Sequence, residues 1–258
     1  MSAFNVPASA YDRHVGRYTR QLAGAFVAFA GIEAGQRALD VGCGPGALAA
    51  TLAATLGAAN VAAVDPSESF AAACRERLPG VDVTVAHAES LPYEHNTFDA
   101  TLAQLVVNFM DDPEAGVREM ARVTRPGGTV TACVWDYAGE MTLLRTFWDA
   151  ARTVEPERGA AATEAQMPWC REGELGELWA KAGLTDIRLE ALVVRAVYDD
   201  FDDLWSPFLT GLAPAGVFCA SLDDDSRAAL RAAFQAQLNV ADGPFELSAR
   251  AWAVAGRT

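Results

Sequence analysis

The sequence predicts a doubly wound α/β fold: a mostly parallel, seven-stranded sheet with an antiparallel last strand and a helical cap or insertion. Three observations carry that prediction. Short apolar runs bounded by Gly, Pro, Asp or Asn recur at 37–41, 60–64, 81–86, 98–107 and 128–135, as strands buried on both sheet faces should. Helical patterns lie between most of these runs, the signature of βαβ units. A glycine-rich turn, Gly42-Cys-Gly-Pro-Gly46, closes the first run and opens a helix.

Each element follows from local chemistry. Residues 9–30 read as an amphipathic helix. Arg13, Arg17 and Arg20 precede the apolar run 22–30, which imitates a secretory signal. Cleavage there would leave the strand at 37–41 without support, so the helix is the better reading. The pattern at 46–57 is rich in Ala and Leu and stops at Gly57. The one at 67–78 opens at Ser67, whose hydroxyl is expected to cap it, and Pro79 ends it. The one at 112–124 opens at Asp112 with Pro113 in the first turn, where its missing N–H costs nothing.

After 136 the pattern changes. Residues 140–155 read as a helix carrying Met141, Leu143, Leu144, Phe147 and Trp148, and a polar stretch follows to Gln166. A helix is expected at 171–182 and a long strand at 184–198. Helical segments near 200–210 and 223–238 flank a Pro/Gly loop. The run 245–255 alternates apolar and polar residues, as a half-exposed antiparallel strand does. The expected organisation is one domain: a lid helix over 1–35, a core over 36–136, a helical insertion over 137–183, and the last two strands with a helical cap over 184–258.

Composition narrows the function. Of 258 residues, 20 are basic and 34 acidic, a net charge of −14. Half the chain is hydrophobic, which excludes disorder. Lys181 is the only lysine and the arginines are scattered, so no basic surface is offered to a nucleic acid. No apolar stretch approaches the ~20 residues that span a bilayer. Cys43, Cys74, Cys133, Cys170 and Cys219 form no C-x-x-C pair, which argues against a disulfide framework or a zinc site and for a reducing cytoplasm.

The chemistry sits in Ala38-Leu-Asp-Val-Gly-Cys-Gly-Pro-Gly46. Glycines let backbone approach a ligand, and the following helix offers free N–H groups and a positive dipole end. Asp65 ends the second strand, 19 residues after Gly46. A carboxylate there can accept hydrogen bonds from both hydroxyls of a ribose.

With ALDVGCGPG, VDPS, AHAESLPYEHNTFD (86–99) and RVTRPGGTV (122–130) in order, the chain resembles the class I S-adenosylmethionine-dependent methyltransferases. Within them it is most similar to the small-molecule, quinone-biosynthesis-like branch. The resemblance covers about residues 37–135, and YDRHVGRY (11–18) shares its flavour. It implies a Rossmann-like methyltransferase fold and S-adenosylmethionine as cofactor, leaving S-adenosylhomocysteine. Gly42, Cys43, Gly44 and Gly46 would line the cofactor path. Asp40 would help hold the loop and the ammonium, and Asp65 the ribose, with Pro66 and Ser67 beside it. The third motif usually reads Gly-Asp-Ala-Glu. Here it is Ala86-His87-Ala88-Glu89, so adenine would be held by His87, by the backbone at Ala88, or by stacking on Pro66 and Leu91. Gln104 and Leu105 would flank the methionine moiety. Tyr11, Arg17 and Tyr18 would close over the cofactor, Arg17 pairing with its carboxylate.

Methyl transfer from a sulfonium is an in-line displacement that needs alignment more than a base. The acceptor-side candidates are His14, Asn108, Asp136 and Tyr137. No metal is called for. The acceptor is expected to be a small, apolar or aromatic molecule methylated at O, N or C; the large apolar residues after 135, Trp148 and Phe208 among them, read at helical spacing more as core than as pocket, with some expected to roof the cleft. No nucleic-acid or membrane partner is expected, and the chain is read as a monomer or homodimer. Two readings compete. A non-catalytic or non-methylating S-adenosylmethionine-binding protein is kept alive by His87 and Asn108. An NAD(P)-dependent oxidoreductase predicts G-x-G-x-x-G and a catalytic Tyr/Lys or His dyad; the turn here is one residue short of that pattern, and Lys181 has no Tyr four residues before it.

Overall fold

The computed structural model describes residues 16–161, 164–211, 213–240 and 243–258. Five strands pair in parallel: β1 (Ala38–Val41), β2 (Val61–Asp65), β3 (Asp82–Val85), β4 (Phe98–Gln104) and β5 (Thr124–Trp135). Two more follow, β6 (Thr185–Tyr198) and β7 (Phe245–Arg257), and β7 runs antiparallel to β5. The sheet order is β3-β2-β1-β4-β5-β7-β6. Order therefore switches direction between β1 and β4, where open α/β sheets bind their ligands. The expected fold class is the observed one.

The chain packs as two compact units. The first holds Thr19–Trp135, Pro168–Leu192 and Ala251–Thr258; the second holds 16–18, Asp136–Met167 and Val193–Arg250.

In the first unit every residue of β1 and β2 is buried, which is why these strands read as unbroken apolar runs. Helix α1 (Gly16–Ala30) buries Leu22, Phe26 and Ala30 at helical spacing. Helix α2 (Ala47–Leu56) buries Leu48, Leu52 and Leu56 in the same way. Helix α3 (Glu68–Arg77) follows β2. Helix α4 (Pro113–Val123) starts as its sequence dictates: Asp112 accepts from the Ala115 amide at 3.0 Å. Its buried face is Val117, Met120 and Val123. Trp179, in the helix Glu174–Lys181, donates its indole N–H to the Val130 carbonyl at 2.9 Å. Gly256 makes room for that ring, since a Cβ there would lie 2.9 Å from Trp179 Cδ1.

Three local expectations change. The fourth strand stops at Gln104 instead of continuing to 107, because Leu105 adopts φ +63° and its amide turns to the Cys133 carbonyl at 2.8 Å. The Ser67 hydroxyl does not cap α3; it lies 2.9 Å from the Ser69 hydroxyl. The Pro/Gly loop contains a helix, Ala213–Ala220. Pro214 falls in its first turn, where proline is tolerated.

The second unit is built on aromatic packing. Phe147 stacks on Phe208 at 4.6 Å and meets Trp148, Phe218 and Phe234 edge-on. All five rings are buried. These aromatics form a core, as their helical spacing suggests, with edge-to-face pairs adding about 0.5–1.5 kcal/mol each.

Glu164 is a cost within this unit. It is 5% exposed, and its Oε2 has no partner among the described residues. Burial pushes its pKa up to about 8. The folded chain then holds a proton that the unfolded chain releases, so stability falls as pH rises from the ordinary carboxylate range toward 8. Glu164→Gln, which never ionises, is expected to raise the melting temperature. The gain should widen from pH 5 to pH 8, by at most ~1.4 kcal/mol per pH unit. Equal gains at both pH values would contradict a proton-bound Glu164.

Candidate cofactor site

The site grows from the turn after β1. The amides of Gly42 and Cys43 both donate to the Val64 carbonyl, at 2.8 and 2.9 Å. That ties the turn to the end of β2. Gly42 has φ +73°, and a Cβ there would lie 2.4 Å from Val106 Cγ2. Gly46 has φ +96°, and a Cβ there would lie 2.9 Å from Cys74 Sγ. Both positions require glycine twice over, for conformation and for space.

Asp65 closes β2 and is buried. Its Oδ2 accepts from the Gly44 amide at 2.8 Å and its Oδ1 from the Ser67 amide at 2.8 Å. One carboxylate thus holds the turns after β1 and after β2. Burial raises its pKa, and the two amide bonds pull the other way. Each oxygen keeps a second lone pair for a hydroxyl.

Asp40 is 1% exposed, and neither carboxylate oxygen finds a partner at ordinary hydrogen-bond geometry. Burial pushes its pKa well above the usual range, with the Cys74 thiol adding to the shift and the Ala49 amide opposing it. A buried carboxyl left in this state is costly unless a cationic group or donor reaches it. A backbone cradle without Cβ atoms, a hydroxyl acceptor at Asp65 and an orphaned carboxyl at Asp40 fit a cofactor that carries a ribose and positive charge.

Gln104 ends β4. Its side-chain amide donates to the Thr19 carbonyl at 3.1 Å, and its Oε1 is buried without a hydrogen bond. After β3, His87 and, after β2, Pro66 are exposed, whereas Ala88 and Leu91 are buried. Glu89 accepts from the Asp112 amide at 3.3 Å. Asn108 is buried in the turn after Leu105.

Tyr11 and His14 lie outside the described residues. Arg17 does not present a free guanidinium for a cofactor carboxylate. It forms a two-pronged ion pair with Asp203, at 2.7 and 2.5 Å, and donates to the Val197 carbonyl. Tyr18 is fully buried, its hydroxyl 3.3 Å from that of Tyr198. Asp136 is likewise committed. It accepts from the amides of Gly139 and Glu140 and pairs with Arg250 at 2.7 Å, so it anchors a turn and offers no free base. Tyr137 is buried beside it in sequence.

Several contributors escaped the sequence. Val106 presses on Gly42, Thr19 accepts from Gln104, and Arg77 donates to the Pro45 carbonyl at 3.2 Å. The 86–99 segment is held by Glu119, which accepts from the Leu91 amide, and by Arg122, which donates to the carbonyls of Leu91 and Tyr93. Only Arg122 lay inside a recognised motif. Among the described residues no cluster of three or more metal-ligating side chains occurs, and no helix is long and apolar enough to cross a membrane.

A family model described as a methyltransferase domain matches residues 39–132. A demethylmenaquinone methyltransferase of Mycolicibacterium paratuberculosis is 30% identical over 168 residues, 61% of this chain and 71% of that protein. The chain belongs to the class I S-adenosylmethionine-dependent methyltransferases. Its similarity falls in their small-molecule branch. As a member of that family, the methyltransferase uses S-adenosylmethionine as its cofactor. It is also 30% identical, over 216 residues, to an uncharacterized protein of Mycobacterium tuberculosis, covering 76% of this chain and 75% of that one. Among solved structures, the phosphoethanolamine N-methyltransferase 2 of Haemonchus contortus, in complex with S-adenosylhomocysteine, aligns with a TM-score of 0.60. The alignment has 19% identity and covers 97% of this chain and 56% of that one. That likeness shows the shared fold.

Proposed function

We propose that this methyltransferase moves the methyl group of S-adenosylmethionine to a small, apolar or aromatic acceptor at O, N or C. The observation that carries the cofactor half is Asp65, buried at the end of β2 and bonded to the Gly44 amide at 2.8 Å. In this reading Asp65 accepts the ribose hydroxyls, the Gly42–Gly46 turn passes under the methionine and adenosine moieties, and Asp40 faces positive charge. Ala88 and Leu91 form an apolar wall for adenine, in place of the acidic side chain absent at His87. Gln104 turns its free Oε1 to the methionine end.

The bound cofactor supplies a methyl group already activated on sulfur. The chain's part is to hold donor and acceptor in line and keep water out, which is worth up to ~7–11 kcal/mol. Asn108 would orient the acceptor. The acceptor class is supported by the similarity to a demethylmenaquinone methyltransferase, whose name states a quinone-type acceptor. The net charge of −14 also disfavours phosphorylated acceptors.

The test is a screen of metabolite extracts with a labelled methyl donor, followed by purified phenols, quinols and heteroaromatics. Label in an apolar or aromatic product together with released S-adenosylhomocysteine is the expected result. Label only in peptide or tRNA would overturn the acceptor class. Cofactor binding with no label in any product would favour a non-methylating protein.

A further inference from the structure

The segment after β3 carries an exposed residue, His87, and then two buried apolar ones, Ala88 and Leu91. Helix α4 fixes those two. Gly116, Glu119 and Arg122 recur every three residues along it, so they are neighbours on one stripe. A Cβ at Gly116 would lie 3.5 Å from the Ala88 Cβ, which puts Ala88 against that stripe. Glu119 Oε2 accepts from the Leu91 amide at 3.0 Å, and Arg122 Nη2 donates to the Leu91 carbonyl at 3.0 Å. Both backbone polar groups of Leu91 are therefore taken by one pair of side chains.

The pair is itself held in shape. Arg122 Nε and Nη2 donate to the two Glu119 oxygens, at 2.6 and 2.8 Å. Two parallel bonds fix a guanidinium in angle as well as distance. The third nitrogen, Nη1, reaches the Tyr93 carbonyl at 2.8 Å. The side chains of Arg122 and Glu119 are only 24% and 23% exposed. The segment is tied on either side too. Glu89 accepts from the Asp112 amide at 3.3 Å, and the amides of Asn96 and Thr97 donate to the Arg122 and Val123 carbonyls at 3.1 and 2.8 Å. Between these ties, the orientation of the Leu91 peptide rests on Glu119 and Arg122.

We propose that Glu119 and Arg122 are positioning residues for the adenine end of the cofactor: by gripping the Leu91 peptide they set the apolar wall that Leu91 and Ala88 present to the base. The proposal rests on the cofactor reading above, in which that wall replaces an acidic side chain at position 87. Neither residue touches the cofactor. A wall acts by contact, and a gap of ~1 Å forfeits roughly half of a dispersion contact. Small turns of the Leu91 peptide are therefore felt at the base. The pair is specific in form, since a lysine at 122 has no planar fork with which to serve Glu119 and two carbonyls together.

The first measurement needs no cofactor. In hydrogen–deuterium exchange of the ligand-free chain, Glu119→Ala should speed exchange of the Leu91 amide about tenfold or more and leave the amides of β1 and β4 unchanged. The second is S-adenosylhomocysteine affinity by calorimetry. Glu119→Ala should weaken it about fivefold or more, the low end of a coupling between sites. S-ribosylhomocysteine keeps the ribose and amino-acid ends but has no adenine, so parent and variant should bind it equally. In a Leu91→Ala background the loss from Glu119→Ala should shrink below about twofold, because the wall it positions is already gone. Glu119→Gln keeps an acceptor for the amide without the charge, and it should fall between parent and alanine in both measurements.

Unchanged exchange at Leu91 would overturn the proposal, as would faster exchange with undiminished S-adenosylhomocysteine affinity. Equal losses for the two ligands, or a loss that persists in the Leu91→Ala background, would show a general loosening of the site and overturn it as well. If Glu119→Ala does not fold, Glu119→Gln and Arg122→Lys carry the same comparisons. A parent chain that binds no S-adenosylhomocysteine would sink the cofactor reading and the adenine role with it, while the exchange result would still decide whether Glu119 holds Leu91.

Discussion

Asp65→Ala is expected to weaken S-adenosylhomocysteine binding by about tenfold or more in isothermal titration calorimetry. Two losses combine. The ribose would lose a charged acceptor, a hydrogen bond to which contributes about 1.5–3 kcal/mol. The amides of Gly44 and Ser67 would lose the carboxylate that holds them at 2.8 Å each, leaving two donors partly desolvated. Tenfold corresponds to ~1.4 kcal/mol, so even the weaker of these losses is enough. Asp65→Asn sharpens the test. Its amide oxygen serves one backbone N–H while its NH2 opposes the other, so affinity should fall between that of the parent and that of the alanine variant. A change of only about threefold in Asp65→Ala, with thermal stability intact, would sink the ribose assignment.

Gly42→Ala is the second large effect, and it falls on stability. The position sits at φ +73°, and the new Cβ would meet Val106 at 2.4 and 2.6 Å. A left-handed conformation costs about 1–2 kcal/mol for an ordinary residue, and overpacking about 1–3 kcal/mol more. Together these predict about 2–5 kcal/mol, read as a lower urea midpoint. Gly44→Ala is the matched control. It has φ +52° but nothing within 4 Å of its would-be Cβ, so only the conformational part applies. Trimming the neighbour in a Gly42→Ala, Val106→Ala double variant should recover part of the loss. Equal destabilisation at positions 42 and 44 would show that the Val106 contact yields without cost.

Much of the first unit was legible because its signals are local. A parallel strand buried on both faces must be apolar throughout, and β1 and β2 are. A proline in the first turn after an aspartate can begin a helix, and Asp112 caps the one that follows. The glycines of the turn announced themselves because all three take positive φ, and at Gly42 and Gly46 a Cβ has no room besides. What stayed hidden was long-range. Nothing near Gly42 in sequence names Val106 as the side chain that excludes a Cβ. Arg17 carries no mark of Asp203, 186 residues away, which takes its guanidinium. Asp136 looked like a base because it follows a strand, yet the amides of Gly139 and Glu140 and the guanidinium of Arg250 already use its oxygens. The insertion aromatics were ambiguous for a related reason: helical spacing says which rings share a face, but not whether that face meets a ligand or other rings. The third motif departs from the family pattern at His87, and there His87 is exposed while Ala88 and Leu91 are buried.

The double grip of Asp65 has a thermodynamic consequence. Because its two oxygens fix the Gly44 and Ser67 amides by contacts within the chain itself, the cradle has its own means of order, and association need supply less free energy to order it. Binding of S-adenosylhomocysteine should then carry the heat-capacity change of surface burial alone, without the larger one that accompanies coupled folding. The same arrangement makes the pocket brittle: a single carboxyl group secures two loops, so its loss is felt at both.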